Sequence, residues 1–186
     1  MKLKNHSLIK KINRAKILNA IRQKSPVARS QLADATSLDK KSITNFVTEL
    51  LKDGIIEEAG KQEKTSGRPF TMLRFKTHYV AGVYVSPHFA GGILIDLYGN
   101  IVEYCEESFP IFAPLEDIAA AVSKVSVKLA AGRDNIIGAG ICLPGIMDME
   151  QGIVLESINM PGLKGCDYVK TFSGMFNCPV KFEEAS

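Results

Sequence analysis

The run Asp39-Lys40-Lys41-Ser42-Ile43-Thr44-Asn45-Phe46-Val47-Thr48-Glu49-Leu50-Leu51-Lys52-Asp53-Gly54 carries two chemistries on one element. Ile43, Phe46, Val47, Leu50 and Leu51 recur at i, i+3, i+4, i+7 and i+8, the apolar stripe of a helix laid on a core. Asp39 is suited to cap the start, and Gly54 to end the helix in the left-handed conformation, which predicts a helix over residues 40–53. The stripe leaves Lys40, Lys41, Ser42, Thr44, Asn45 and Thr48 outside. Lysines and first-turn amides bind phosphate, and Ser, Thr and Asn hydrogen-bond base edges in a major groove. The same residue types also make an ordinary solvated face, so the flanking segments have to discriminate.

Toward the N-terminus, Ile12, Ile17, Leu18 and Ile21 predict a helix over residues 13–23. Ser25-Pro26 stops it, since a residue before proline avoids the α region, and Val27 reads as extended. Ser30 is the expected cap of a short helix over residues 31–35, with Thr36-Ser37-Leu38 as the turn into the long one. Toward the C-terminus, residues 55–58 and 71–75 read as two strands. The polar segment between them, residues 60–69, makes a hairpin tip in which Gly67 and Pro69 flank Arg68. An arginine held on a stiff, unobstructed tip suits the narrow, negative minor groove, so Gly67 and Arg68 join the DNA-binding candidates. The plain alternative is a turn and nothing more. Three helices followed by a basic β-finger describe a winged helix-turn-helix.

Charge supports that reading. Residues 1–78 hold 17 Lys and Arg against 7 Asp and Glu, a net of +10, while the remainder holds 6 against 13, a net of −7. The whole-chain charge of +3 hides this division of a polyanion-binding head from an acidic body. The apolar fraction of 46% and charged fraction of 23% are globular values and exclude extended disorder. No apolar run approaches a membrane span and no signal-like segment opens the chain, so the expectation is a cytoplasmic protein with no membrane partner. Cys105, Cys142, Cys166 and Cys178 lack C-x-x-C spacing and have no neighbouring His, which points to plain thiols and to no metal site.

In the acidic part, residues 79–85, 89–96 and 100–108 read as strands, with Leu97-Tyr98-Gly99 turning the second into the third. A helix is predicted over residues 115–131 and a buried strand over 136–143. A turn over 144–148 and a returning segment over 152–155 come next, then a short helix over 168–175 and a last strand over 180–182.

These stretches carry a resemblance. Leu8 through Leu18, then Ser30-Gln31-Leu32-Ala33, then Ser66-Gly67-Arg68-Pro69, in that order and with a Gly54-Ile55-Ile56 helix exit, resemble the ROK family (repressors, open reading frames and sugar kinases) on its repressor branch. The resemblance implies an α+β chain: a winged helix-turn-helix DNA-binding domain over residues 1–78, then a partial actin-like (ribonuclease H-like) ATPase lobe over residues 79–186 acting as a sugar sensor. The second lobe, with its Cys/His zinc motif, has no counterpart, as if the chain were truncated after the first lobe. The segments 143–148, 152–154 and 159–162 resemble the family's sugar-binding stretch. That likeness, with the position of Glu184, makes Gly145, Asn159 and Glu184 the sugar-binding candidates. A glycine permits close approach of a ligand and the Asn amide both donates to and accepts from hydroxyls. A loop with a local Asx bond is the bland alternative.

The kinases of the family carry Asp-x-Gly-Gly-Thr between the first two strands, where this chain has Tyr84-Val85-Ser86-Pro87-His88. Their general base, the Asp of Glu-Asn-Asp-Ala, falls on Ala185 when aligned on Glu183. Neither a phosphate loop nor a proton acceptor is then in place, so no catalytic residue and no cofactor are assigned. The resemblance therefore implies a regulator of carbohydrate genes, a homodimer on a double-stranded DNA operator answering to a sugar effector. The alternatives are a hexose kinase, or a DNA-binding module that has lost ligand sensing.

Overall fold

In the computed structural model, which describes residues 2–63 and 69–185, the chain forms two units, residues 1–77 and 78–186. The first contains α1 (Lys2–Lys24), β1 (Val27–Ala28), α2 (Arg29–Thr36), α3 (Lys40–Lys52), β2 (Ile56–Gln62) and β3 (Phe70–Phe75). Ile43, Phe46, Val47 and Leu50 of α3 are buried, as their spacing requires, together with Ile17 and Ile21 of α1 and Leu32 of α2. Val27 pairs with Leu73 and Ala28 with Met72, so the short extended segment after α1 becomes a third strand in the order β1-β3-β2. That strand closes the side of the wing hairpin that would otherwise be an open edge.

Three sequence expectations change. The first helix begins at Lys2, eleven residues before residue 13, because Leu8, Ile9 and Ile12 continue the helix without joining the core. The cap of α2 is Ala28 and not Ser30. The Gln31 side chain reaches back to accept from the Ala28 N–H at 2.8 Å, so the first free donor is satisfied from within the helix. The wing strand β2 runs to Gln62 through an irregularity between Glu58 and Lys61, which shortens the tip expected over residues 60–69.

The second unit is a five-stranded sheet in the order β10-β7-β4-β5-β6. The strands β4 (Tyr79–Ser86), β5 (Phe89–Asp96) and β6 (Ile101–Ser108) form an antiparallel meander. The helix α4 (Leu115–Ala130) then crosses back to β7 (Ile136–Pro144), parallel to β4. The hairpin of β8 (Ile146–Asp148) and β9 (Ile153–Glu156) follows, then α5 (Tyr168–Phe172) and β10 (Val180–Ala185), parallel to β7. This is the first lobe of an actin-like fold.

One face of that sheet holds the core. Ala81, Val83 and Val85, Ala90 and Leu94, and Ala139, Ile141 and Leu143 alternate inward and meet Ile118, Val122, Val125 and Leu129 of α4 and Phe172 of α5. Gly92 sits directly beneath α4: a β-carbon there would lie 2.3 Å from Val125 Cγ1. The expected helix over 168–175 breaks after Phe172 into a 3-10 turn, Ser173–Met175. The last strand extends to Ala185, three residues past the expected 182, because each residue finds a partner on β7.

The core packing sets a test. Leu50→Ala should destabilise the first unit by about 2–5 kcal/mol through lost burial and a residual cavity, and Gly92→Ala the second by about 1–3 kcal/mol through overpacking. Urea denaturation followed by circular dichroism reads both, with the two variants affecting separate transitions.

Candidate nucleic-acid interface and the body's candidate site

The outer face of α3 is built by its cap. Asp39 Oδ1 accepts from the Ser42 N–H at 2.9 Å, and Oδ2 accepts from the Ser42 hydroxyl at 2.6 Å. The Ser42 hydroxyl, then its amide, hold the Asp39 carboxyl below the ordinary value of 3.8. The left-handed Ser37, at φ 55°, turns the chain from α2 into this cap.

Beyond the cap, Lys40, Lys41, Thr44, Asn45 and Thr48 are exposed, and Ser42 is half-buried. The hydroxyls are partly engaged: Thr44 donates to the Lys40 carbonyl and Thr48 to the Thr44 carbonyl, both at 2.8 Å. Each keeps acceptor capacity for a base-edge donor, while the Asn45 amide retains both donors and acceptor. Ser42 differs from the rest, because its hydroxyl serves the cap. Together with Asn45, Phe46 and Glu49 it lines a cleft of about 320 Å3 against Ile9, Lys10 and Asn13 of α1. Ion pairs from Lys10 to Glu49, at 2.9 Å, and from Arg14 to Asp53, at 3.0 Å, tie one turn of α1 to the end of α3. Gly67 and Arg68, the candidates on the wing tip, lie outside the described residues.

Lys52 was missed in the sequence. It is exposed, four residues after Thr48, and Lys41, Asn45, Thr48 and Lys52 form one stripe at spacings of four, three and four. The periodicity alone could have found it.

In the second unit, Gly145 and Glu184 come to the carboxyl ends of the parallel strands β7 and β10, where open α/β sheets hold ligands. Gly145 has φ +125°, and a β-carbon on it would stand 2.3 Å from the Glu156 carbonyl oxygen. Only glycine lets the β7–β8 turn lie against the segment after β9. Asn159 is exposed on that segment, two residues beyond the buried Ser157. Glu184 is exposed and accepts from the Met147 N–H at 3.3 Å, which links the end of β10 to β8. The turn expected over 144–148 is thus only Gly145, since Ile146–Asp148 pair as a strand with β9.

At the same end of the sheet, where β4 also finishes parallel to β7, Pro87 and His88 join β4 and β5 in a tight hairpin, with Ser86 paired to Phe89. Tyr84 lies flat over Gly91, where a β-carbon would sit 2.2 Å from its ring, and packs edge-on to Phe89 at 5.4 Å. Its hydroxyl lies 3.3 Å from that of Tyr104, which donates to the Glu106 carboxylate. That bond raises the Tyr104 hydroxyl well above its ordinary range. No sequence motif announced this cluster, because it joins three strands across the sheet. Among the described residues no group of His, Cys, Asp and Glu could hold a metal, and no helix is long and apolar enough to cross a membrane. Cys166 is buried and the other three cysteines are half-buried, and burial raises all four thiols.

Residues 11–57 match the family described as winged helix-turn-helix DNA-binding. The xylose repressor of Bacillus subtilis strain 168 is 28% identical over 98% of this chain and 48% of its own. A crystal structure of a ROK family transcriptional regulator, a homologue of the E. coli MLC protein, superposes with a TM-score of 0.70. It is 25% identical and covers 95% of this chain and 46% of the other. The chain is similar to a ROK family transcriptional regulator along nearly all of its length. A ROK family glucokinase from Streptomyces griseus, crystallised with glucose and AMPPNP, shares the fold at TM-score 0.50 and 20% identity over 57% of this chain and 33% of its own. The chain spans about half the length of the curated xylose repressors it matches.

Two predictions follow the geometry. Replacing Asp39 with Asn should fray the start of α3, and the stability gap from the wild type should close on acidification. A depressed folded value means that the contribution is present above the ordinary 3.8 and lost as pH falls through the folded value. Thermal melts between neutral pH and pH about 2 would show it. Gly145→Ala should cost about 1–3 kcal/mol from the positive φ alone, read by chemical denaturation.

Proposed function

We propose that this chain is the DNA-reading part and first sensor lobe of a transcriptional regulator, a repressor of carbohydrate-utilisation genes. The observation that carries the reading is the exposed stripe Lys41, Asn45, Thr48 and Lys52 on a capped helix inside a head of net charge +10. Helix α3 enters the major groove, with Asn45, Thr44 and Thr48 toward base edges and Lys40, Lys41 and Lys52 toward phosphates. Ser42 holds the cap, with its amide and hydroxyl both bonded to Asp39, and so fixes the end of the helix that approaches the backbone. Gly67 and Arg68 on the wing tip reach the adjoining minor groove. A homodimer reads a palindromic operator in the cytoplasm.

A sugar is the effector, held at the carboxyl ends of β7 and β10 by Asn159, the backbone at Gly145, and Glu184. It acts by binding the DNA-bound and free arrangements with different affinity.

Kinase activity is not part of the proposal. A phosphate loop needs open backbone amides, and here Pro87 has none while the Tyr84 ring packs over Gly91. Ala185 stands where the base would be and cannot accept a proton.

Asn45→Ala should cost about 1–3 kcal/mol of operator binding and relax sequence preference. Lys41→Ala and Lys52→Ala should weaken all DNA alike and each lower the salt slope by about 1. Fluorescence anisotropy on operator and random duplexes separates the two effects. Operator affinity unchanged in Asn45→Ala and Arg68→Ala would remove the assigned contacts, and ATP turnover with any hexose in a coupled assay would restore the kinase.

A further inference from the structure

Helix α1 is apolar on two sides. Ile17, Ala20 and Ile21 are buried in the core of the first unit. On the opposite side Leu8 and Ile12 are 55% and 47% exposed, and Ala15 and Asn19 are exposed as well. The four stand at spacings of four, three and four, the seam of a heptad, which a helix needs only when a second helix lies along it. With Ile9, Leu8 and Ile12 are the only exposed large hydrophobic residues among the described residues of the first unit. Their concentration within five residues of one helix is unlike the scattered apolar side chains of an ordinary surface.

The flanks identify the occupant. Lys11 and Lys16 border the seam, are exposed, and form no ion pair with a described residue. Lys10 and Arg14 point the other way, tied to Glu49 and Asp53. A second copy of α1 would set Lys11 against Lys16 or against another Lys11, in parallel or antiparallel order, and like charges at these positions oppose pairing. DNA would meet the lysines but leave the aliphatic seam without a partner. We infer that the outer seam of α1 docks an acidic amphipathic helix, one with Leu or Ile along its seam and Glu or Asp at the flanking positions. The site is distinct from the outer face of α3 and needs no DNA.

The test uses the full chain and a labelled three-heptad peptide with Leu and Ile at the seam and Glu at the flanks, titrated by fluorescence anisotropy. An equimolar complex is expected, weakened by salt. Leu8→Ser and Ile12→Ser should each weaken it by about tenfold or more while leaving the melting temperature unchanged, since both side chains face solvent. The double variant K11E/K16E should lose the Glu-flanked peptide and gain a Lys-flanked one. Three results would overturn the assignment: no complex, equal binding of Glu- and Lys-flanked peptides by the wild type, or a wild-type dimer in sedimentation that Ile12→Ser dissociates. The last would give the seam to a second copy. Operator binding measured alongside the peptide titration keeps failure of this site apart from failure of the DNA-binding reading.

Discussion

Burial of one stripe of α3 is the constraint on which the first unit depends. Once Ile43, Phe46, Val47 and Leu50 are removed from water, the helix has no rotational freedom left, and Lys41, Asn45, Thr48 and Lys52 are forced outward together. The Asp39 cap fixes where the helix starts, and so which turn of that stripe comes first. The ion pairs to α1 set only the neighbour's alignment, because exposed pairs of this kind contribute little stability.

The second unit obeys a different constraint. Its sheet is half antiparallel and half parallel, and α4 must lie close on β5 to cover the core, which Gly92 alone permits. The carboxyl ends of β7 and β10 then fall together, with the turn at Gly145 pressed against the segment that carries Asn159. The hairpin at Pro87 is closed by the same meander, and the ring of Tyr84 fills the space over Gly91. The turn at Gly145 and the closed hairpin at Pro87 thus stand at one end of the sheet, where the parallel strands β4, β7 and β10 finish together.

Helix α1 shows how one element can answer to two partners. Its inner side belongs to the three-helix core, and its outer side repeats at heptad spacing with free lysines beside it. Sequence reading set Ile12 on one stripe with Ile17, Leu18 and Ile21, whereas Ile12 is exposed on the other side of the helix with Leu8. That apparent irregularity is the second face.

Periodicity by itself determined most of the architecture: the three helices, the wing strands, the meander, α4 and β7 each follow from residues that must alternate or recur every third and fourth place to be buried. It also determined the outer polar face of α3, since the polar positions are what the apolar stripe leaves over, and Lys52 was available by the same count. Only tertiary structure decided the cap of α2, where Gln31 reaches back to Ala28, because a side chain that bonds its own backbone leaves no pattern. Only tertiary structure extended β10 to Ala185 and brought Glu184 beside Met147, since a strand's length depends on the partner it finds. The Tyr84, Tyr104 and Glu106 cluster was likewise invisible, because register across strands is set by pairing through space and not by spacing along the chain.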